Sequence, residues 1–425
     1  MYALAERLYP ICRSITGYGL RQTLEIMAGA VPLEIEGVAS GTRVFDWQVP
    51  DEWRLDAAYI QTPDGERIAD VDRHSLHLMS YSLPGRRTLT LPELLPHLYS
   101  LPQHPEWIPY RTSYYEPDWG FCLPHQRLCA LVDGTYEAVI EGDLSPGELN
   151  YGELLIPGRS DREVLFFSHA CHPSLANDNL AGLVTTCALA QRLLSMSTRR
   201  YSYRFVWAPG TIGSIVWLAR NQARLREIKG GLVAVLLGDK GQLQYKPSRN
   251  GDSEIDAAAA YVCGRRGGRV REFEPYGYDE RQFASPGIAL PVGRLTRTPN
   301  GEYAEYHTSA DDLSLILPEQ LEASLDALSE FVDVLEHNRR YVNLQPYCEP
   351  QLGKRGLYRK GGGEALPDRN IAMLWALNQS DGKTPLLDIA ERSQIPFSVL
   401  RDVAAELESS HLLEGRGDAE EGSDS

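Results

Sequence analysis

Ser168–Gly182, reading S-H-A-C-H-P-S-L-A-N-D-N-L-A-G, is the stretch whose reading decides the fold class. It follows Glu163–Phe167 (E-V-L-F-F), a short apolar run of the kind that forms a buried strand. It leads into Leu183–Leu194, whose small and apolar residues read as a helix. Two histidines, a cysteine and an aspartate therefore fall between a strand and a helix. In open α/β sheets that loop lies at the carboxyl end of the strands, where such folds place their sites. Imidazole nitrogens and a carboxylate a few residues apart form a donor set that suits zinc. The A-N-D-N turn is expected to aim Asp178 back toward whatever His172 holds; the competing reading makes Asn177 or Asp178 a helix N-cap.

Working outward, strands and helices alternate from Gly152 onward. Strands are expected at Val164–Ser168, Tyr203–Ala208, Leu232–Leu237 and Ala258–Val262, with helices at Leu183–Leu194, Ile212–Asn221 and Pro318–His337. That alternation predicts an α/β domain, a mainly parallel sheet covered by helices on both faces. The helical N-terminus, interrupted at Arg13–Gly17, belongs to the same domain, giving 1–37 and 151–345. Between these parts, 38–150 carries short alternating runs (Ala57–Gln61, Ser75–Ser80, Thr135–Ile140) among Pro, Gly, Tyr and Trp, and reads as an inserted, mostly β domain. A glycine-rich linker is expected over 346–368. Three short helices over 369–415 suggest a winged-helix-like domain, and 416–425 an acidic, disordered tail.

Composition narrows the function classes. At 425 residues, with 43% hydrophobic and 24% charged residues, the chain is long enough for two or three domains and a sizeable core. A net charge of −16 opposes nucleic acid and anionic membranes as partners. Over 366–415, four basic residues face eight acidic ones, a net of −4 that is wrong for phosphate neutralisation. Seven cysteines without a C-x-x-C pair argue against a disulfide framework. With neither a signal peptide nor a membrane-length apolar run, a cytoplasmic protein is expected.

Further chemistry-bearing residues lie far from the opening stretch. Asp239 directly follows the expected strand Leu232–Leu237, and Tyr306-His307-Thr308-Ser309-Ala310-Asp311 supplies a late histidine with an aspartate four residues on. Asp311 is expected to hold the far ring nitrogen of a metal-binding His307. His172, Asp178, Asp239 and His307 are thus the metal-ligand candidates, with His169 and Cys171 open as alternatives.

This constellation resembles the zinc aminopeptidase clan that includes bacterial leucyl aminopeptidases and glutaminyl cyclases. The resemblance implies that His172 is the first histidine, Asp178 a bridging aspartate, Asp239 the strand-end carboxylate and His307 the last ligand. Gly277–Phe283 (G-Y-D-E-R-Q-F) looks like the clan's acidic segment. The chain looks closer still to bacterial aminopeptidase-like proteins with an inserted β domain and a C-terminal winged helix. That likeness rests on Phe45-Asp46-Trp47, Ile108–Tyr115, Trp119–Cys122, Cys171–Ser174 and Glu305–Ser309. Two departures stand out. Ser174 occupies the place of a carboxylate, and Gly210-Thr211 the place of a Glu-Glu pair that supplies the general base and a ligand.

The implied function is a zinc-dependent hydrolase holding one ion, with two left open. It would cleave an amide next to a free amino group in a small peptide or aminoacylated metabolite. Asp279 or Glu280 would replace the missing base, Glu305 would anchor the substrate amine, and Arg111 would bind a substrate carboxylate in a two-pronged contact. Two alternatives remain: a weakened or inactive metal-binding relative, and a metabolite-sensing DNA-binding regulator. A homo-oligomer formed through the C-terminal or inserted domain is expected.

Overall fold

The computed structural model describes residues 1–357 and 368–416. Residues 358–367 of the expected linker and 417–425 of the expected tail lie outside the described residues. The described residues form two compact units, divided between Ser329 and Glu330.

The first unit opens with helices α1 (Tyr2–Leu8) and α2 (Tyr18–Ala28). The break between them is tied to Gly17, at φ +95°, where a Cβ would meet the Trp53 carbonyl at 2.1 Å. The chain then builds an eight-stranded sheet from β1 (Glu34–Ala39), β2 (Glu148–Ile156), β3 (Glu163–His169), β4 (Ser202–Ala208), β5 (Ile228–Ala234), β6 (Gln244–Lys246), β7 (Arg269–Val270) and β8 (Val292–Thr296). Its order is β1-β2-β4-β3-β5-β8-β6-β7. The pairs β4–β3, β3–β5 and β5–β8 are parallel, while β1–β2, β2–β4 and β8–β6 are antiparallel. A parallel four-stranded core is therefore joined to its neighbours on each side by an antiparallel pairing, and the edge pair β6–β7 is itself parallel. Every residue of β3 and β4 is buried, which explains their unbroken apolar runs.

Helix α3 (Gly182–Ser195) links β3 to β4, and α4 (Ile212–Arg220) precedes β5. Because β4 and β5 flank β3 on opposite sides, the strand order reverses at β3. The crevice outside the ends of these three strands is where such sheets bind ligands.

Three expectations are corrected. Ala258–Val262 is not a strand but the middle of helix α5 (Glu254–Arg265). Its alanine run favours a helix, and a reciprocal Ser253–Asp256 capping box starts it. Ser75–Ser80 begins as a single 3₁₀ turn over Ser75–His77. The strand expected to reach Leu237 stops at Ala234, because Leu236 turns to φ +54° and gives its N–H to the Asn179 side chain at 3.1 Å.

Between β1 and β2, the strands Arg67–Asp70, Glu52–Gln61, Thr135–Ser145 and Gly85–Thr90 form an antiparallel sheet in that order. Much of the core of this region is shared with the large sheet. Trp53, Ile60, Tyr136 and Ile140 belong to one apolar cluster with Leu165, Phe167 and Val206 of the large sheet.

The second unit contains a three-stranded antiparallel sheet, Asp381–Pro385, Arg340–Asn343 and Leu413–Gly415 in spatial order. Helices Asp368–Gln379, Leu386–Ser393 and Phe397–Ser409 accompany it. Arg340–Asn343 thus joins this sheet, although the sequence reading placed it at the end of the α/β domain. Among the described residues, no helix is long and apolar enough to cross a membrane.

Candidate metal centre

The centre is assembled around one carboxylate. Asp178 is fully buried; its Oδ1 meets His169 Nε2 at 2.8 Å and its Oδ2 meets His307 Nε2 at 3.0 Å. Ligand atoms of His169, His172 and Asp178 all lie within 4.8 Å of one another. The His172 ring stands 5.3 Å from that of His307 and 4.8 Å from that of His169. Two sections of chain more than a hundred residues apart therefore converge on one acid at the switch point.

The loop is held for this purpose by its asparagines. Asn179 donates to Ser168 Oγ and the His169 carbonyl and accepts from Leu236 N, while Asn177 accepts from Gly238 N and donates to Asp239. They stitch the end of β3 to the segment after β5 rather than capping α3, whose N-cap is Ala181. His307 is braced by the inserted region: Tyr110 N donates to its carbonyl at 2.8 Å, and Ser309 N donates to the Ile108 carbonyl at 2.8 Å. The Tyr110 ring lies 5.1 Å from both His172 and His307. Ser174, Thr211, Leu236 and His307 all adopt positive φ. Such backbone costs about 1–3 kcal/mol per residue and concentrates at functional sites.

Burial drives His172 well below the ordinary imidazole range, with Asp178 only partly opposing it. Burial alone pushes Asp178 up, but His172, His169 and His307 outweigh it and hold the carboxyl well below its usual range. The centre thus presents an anion and a neutral His172 ring, the protonation states a metal requires. His169 Nδ1 is buried without a hydrogen-bond partner. The donor set fits a divalent cation that accepts nitrogen and oxygen.

The remaining candidates fall elsewhere. Asp239 does not join the convergent group, since its oxygens take hydrogen bonds from Asn177, Gly241 and Thr298. Asp311 makes no hydrogen bond to His307 among the described residues. It accepts the backbone N–H groups of Asn177 (2.6 Å) and Asp178 (3.0 Å) and the Tyr303 hydroxyl (3.2 Å), and so positions the Asp178 loop. Glu280 is no free acid: Oε1 meets Lys246 Nζ at 2.8 Å and Arg294 Nη1 at 3.2 Å as buried ion pairs. Burial pushes Glu280 up, but these cations outweigh it and hold the carboxyl below its usual range.

Asp279 differs in kind. Its Oδ1 accepts from Thr211 N and Ser214 Oγ, both at 2.8 Å, while Oδ2 is buried without a partner. Burial, countered by His169, pushes its carboxyl up to about 6. Arg111 is exposed, 5.4 Å from the Tyr99 ring centroid, and lines a cavity of about 290 Å³ with His307, Tyr110 and Tyr306. Glu305 is half-buried and lines a second cavity with Asp239 and Lys240.

A family model described as a domain of unknown function, DUF4910, matches residues 2–338. The chain belongs to the DUF4910 family. A winged helix-turn-helix model matches residues 339–415, in agreement with the three helices and small sheet of the second unit. A Clostridium acetobutylicum relative, described as a polysaccharide biosynthesis protein with an aminopeptidase-like domain, is 48% identical over 97% of this chain and 95% of its own. A crystal structure of a peptidase candidate from the same organism superposes with a TM-score of 0.93 at 46% identity, covering 98% of this chain and 96% of that one. A zinc aminopeptidase from Bacillus subtilis shares the fold of this DUF4910 chain, with a TM-score of 0.55 at 13% identity over 78% of this chain and 93% of its own.

The sequence offers His169 only as an alternative ligand and Asn177 only as a helix N-cap, and it gives Tyr110 and Asn179 no role at the site. The position of His169 as the last residue of β3 was the available signal for it. The asparagines flanking Asp178 were legible as polar residues but not as cross-links.

Proposed function

We propose that this DUF4910 chain is a metal-dependent hydrolase of aminopeptidase type. Its substrate would be a small peptide or aminoacylated metabolite with a free amino group. The observation that supports this most is the Asp178 carboxylate shared between His169 and His307, with a neutral His172 beside it. Zinc is the ion we assign, since imidazole nitrogens and a carboxylate are its habitual donors. His169, His172, Asp178 and His307 would hold it. One ion fits better than two, because Asp239 is occupied by donors and residues 174 and 211 offer hydroxyls. When bound, zinc supplies Lewis acidity that brings the pKa of water toward about 7.

The chain's own residues supply the rest. Asp279 Oδ2 is unpartnered and tuned near neutrality, so it can take a proton from water and return it to the departing amine. Arg111, on the cavity wall beside His307, suits a substrate carboxylate. Glu305 is the proposed anchor for the amine. A cavity of about 290 Å³ suits a small substrate, and the clostridial relative's description as a polysaccharide biosynthesis protein supports a role in biosynthesis.

Metal analysis of protein purified without chelator, coupled to a panel of aminoacyl amides and dipeptides, tests this reading. Near-stoichiometric zinc and chelator-sensitive hydrolysis are expected. Protein that binds no divalent cation would overturn the reading. Protein that binds zinc yet cleaves nothing would instead support an inactive relative, the alternative favoured by Gly210-Thr211.

For the winged helix we propose contact with protein, including a second copy of this chain, and no nucleic-acid role. Helix Phe397–Ser409 carries Asp402, Glu406 and Glu408, and its Arg401 is paired with Asp333 and Asp402. Such a surface repels phosphates.

A further inference from the structure

Gly210 lies two residues past the end of β4 and faces a space that is already full. A Cβ at Gly210 would lie 2.1 Å from Tyr278 Oη and 2.2 Å from its Cε1 and Cζ. Gly210 is not among the glycines with positive φ, so its backbone does not require glycine. The neighbouring ring does. The Tyr278 ring lies 4.7 Å from that of His169 and 6.0 Å from that of His172. Its Oη is 3.8 Å from Cys171 Sγ, which accepts the Gly210 N–H at 3.2 Å. The ring is held from both of its chain neighbours. Asp279 is hydrogen-bonded to the start of α4, and Glu280 accepts the Tyr278 N–H at 3.0 Å from inside its buried ion pairs.

We propose that Gly210 and Tyr278 are one unit. The phenol takes the volume that an acidic side chain at 210 would need, and it presents its hydroxyl to the histidine face as the hydrogen-bond donor there. The donor role rests on the hydrolase reading above. In amide hydrolysis a water oxygen adds to the carbonyl carbon and the C=O electron pair moves onto the carbonyl oxygen. The water's proton goes to Asp279, which returns it to the nitrogen as the oxyanion's electron pair re-forms C=O and the C–N bond breaks, its pair leaving on the nitrogen. Tyr278 donates a hydrogen bond to the charged oxygen and keeps its proton throughout, a form of stabilisation that a rigid, buried donor provides well. A carboxylate at 210 would serve as an acceptor; the tyrosine gives the wall the opposite polarity.

Two sets of variants test this. The first needs no activity: Gly210→Glu, Tyr278→Ser and the pair together are compared by urea unfolding and zinc content. Gly210→Glu alone is expected to unfold at clearly lower urea, and adding Tyr278→Ser to recover at least half of that loss. A Gly210→Glu protein as stable as the parent, or losses that simply add, would overturn the unit. In the second, Tyr278→Phe keeps the ring and removes the hydroxyl. It is expected to lower kcat about 100-fold, with KM, melting temperature and bound zinc unchanged; an unchanged kcat overturns the donor role. Should the parent protein hydrolyse nothing, the hydrolase reading fails by itself, while the urea comparison still decides the unit. The donor role is then judged by calorimetry of the zinc-loaded proteins with L-leucine phosphonic acid, a tetrahedral mimic. Tyr278→Phe is expected to bind it at least tenfold more weakly, and equal binding, or binding by neither protein, overturns the role.

Discussion

Replacing Glu280 by glutamine separates a structural acid from a catalytic one. Glu280, Lys246 and Arg294 are each about 3% exposed or less. The carboxylate is the anion facing both cations, at 2.8 Å and 3.2 Å. At an effective dielectric of about 20, each contact is a gross attraction of about 5–6 kcal/mol. Desolvation offsets much of that in the intact cluster, but removing the anion strands two buried cations. Breaking a buried ion pair in this way costs about 3–5 kcal/mol. Lys246 keeps its bonds to the carbonyls of Glu274 and Tyr276, which favours the lower end. Glu280→Gln is therefore expected to lose about 3–4 kcal/mol in urea unfolding, and adding Lys246→Met to regain part of it by removing one stranded charge. Asp279→Asn, which preserves an acceptor for Thr211 and Ser214, is expected to lose activity while folding at least as well as the parent at pH 7. A Glu280→Gln protein of unchanged stability that had lost all hydrolysis would refute this division of labour.

Asp311→Asn replaces an acceptor oxygen facing the backbone N–H of Asn177 or Asp178 with an amide group, and is expected to weaken zinc binding about 10–100-fold by calorimetry. Gly182→Ala would place a Cβ 2.3 Å from Asn179 Oδ1 and 2.7 Å from the Ala234 carbonyl, so a loss of about 1–3 kcal/mol in urea is expected. For Asp279, burial raises the native carboxyl from 3.8 to about 6, so the native state binds the proton more tightly than the unfolded chain. Its stabilising share is complete below the unfolded value and is lost as pH rises through about 6. Between pH 4 and pH 7 the metal-free parent should lose up to about 3 kcal/mol relative to Asp279→Asn, and parallel stability curves would count against the shift. Finally, fluorescence anisotropy at low salt should detect no salt-sensitive affinity of the full chain for duplex DNA.

Much of this was legible in linear order. E-V-L-F-F followed by a polar turn and a small-residue helix specifies a buried strand ending at a site, because strand burial and helix packing leave local signatures. Helix Pro318–His337 could be read to the residue from its periodicity. Asp178 and His307 were legible as chemistry because few other uses bring such residues to loops after strands. The misreadings share a cause. The alanine-rich Ala258–Val262 is short and apolar enough for either state, and only its capping box and packing decide for helix. The strand over Leu232–Leu237 ends early because side chains from sixty residues away claim its backbone.

By itself the amino-acid sequence determined the α/β class, the inserted strands, the winged helix and the presence of metal-binding residue types, all of which follow from local pattern and composition. Only the tertiary structure decided which groups work together. It put His169 and His307 on Asp178 with His172 beside them, left Asp239 to a ring of donors, turned Asp311 toward backbone amides and neutralised Glu280 with Lys246 and Arg294. These assignments depend on distances between residues far apart in the chain, and an electrostatic environment is set by neighbours in space that sequence spacing does not encode.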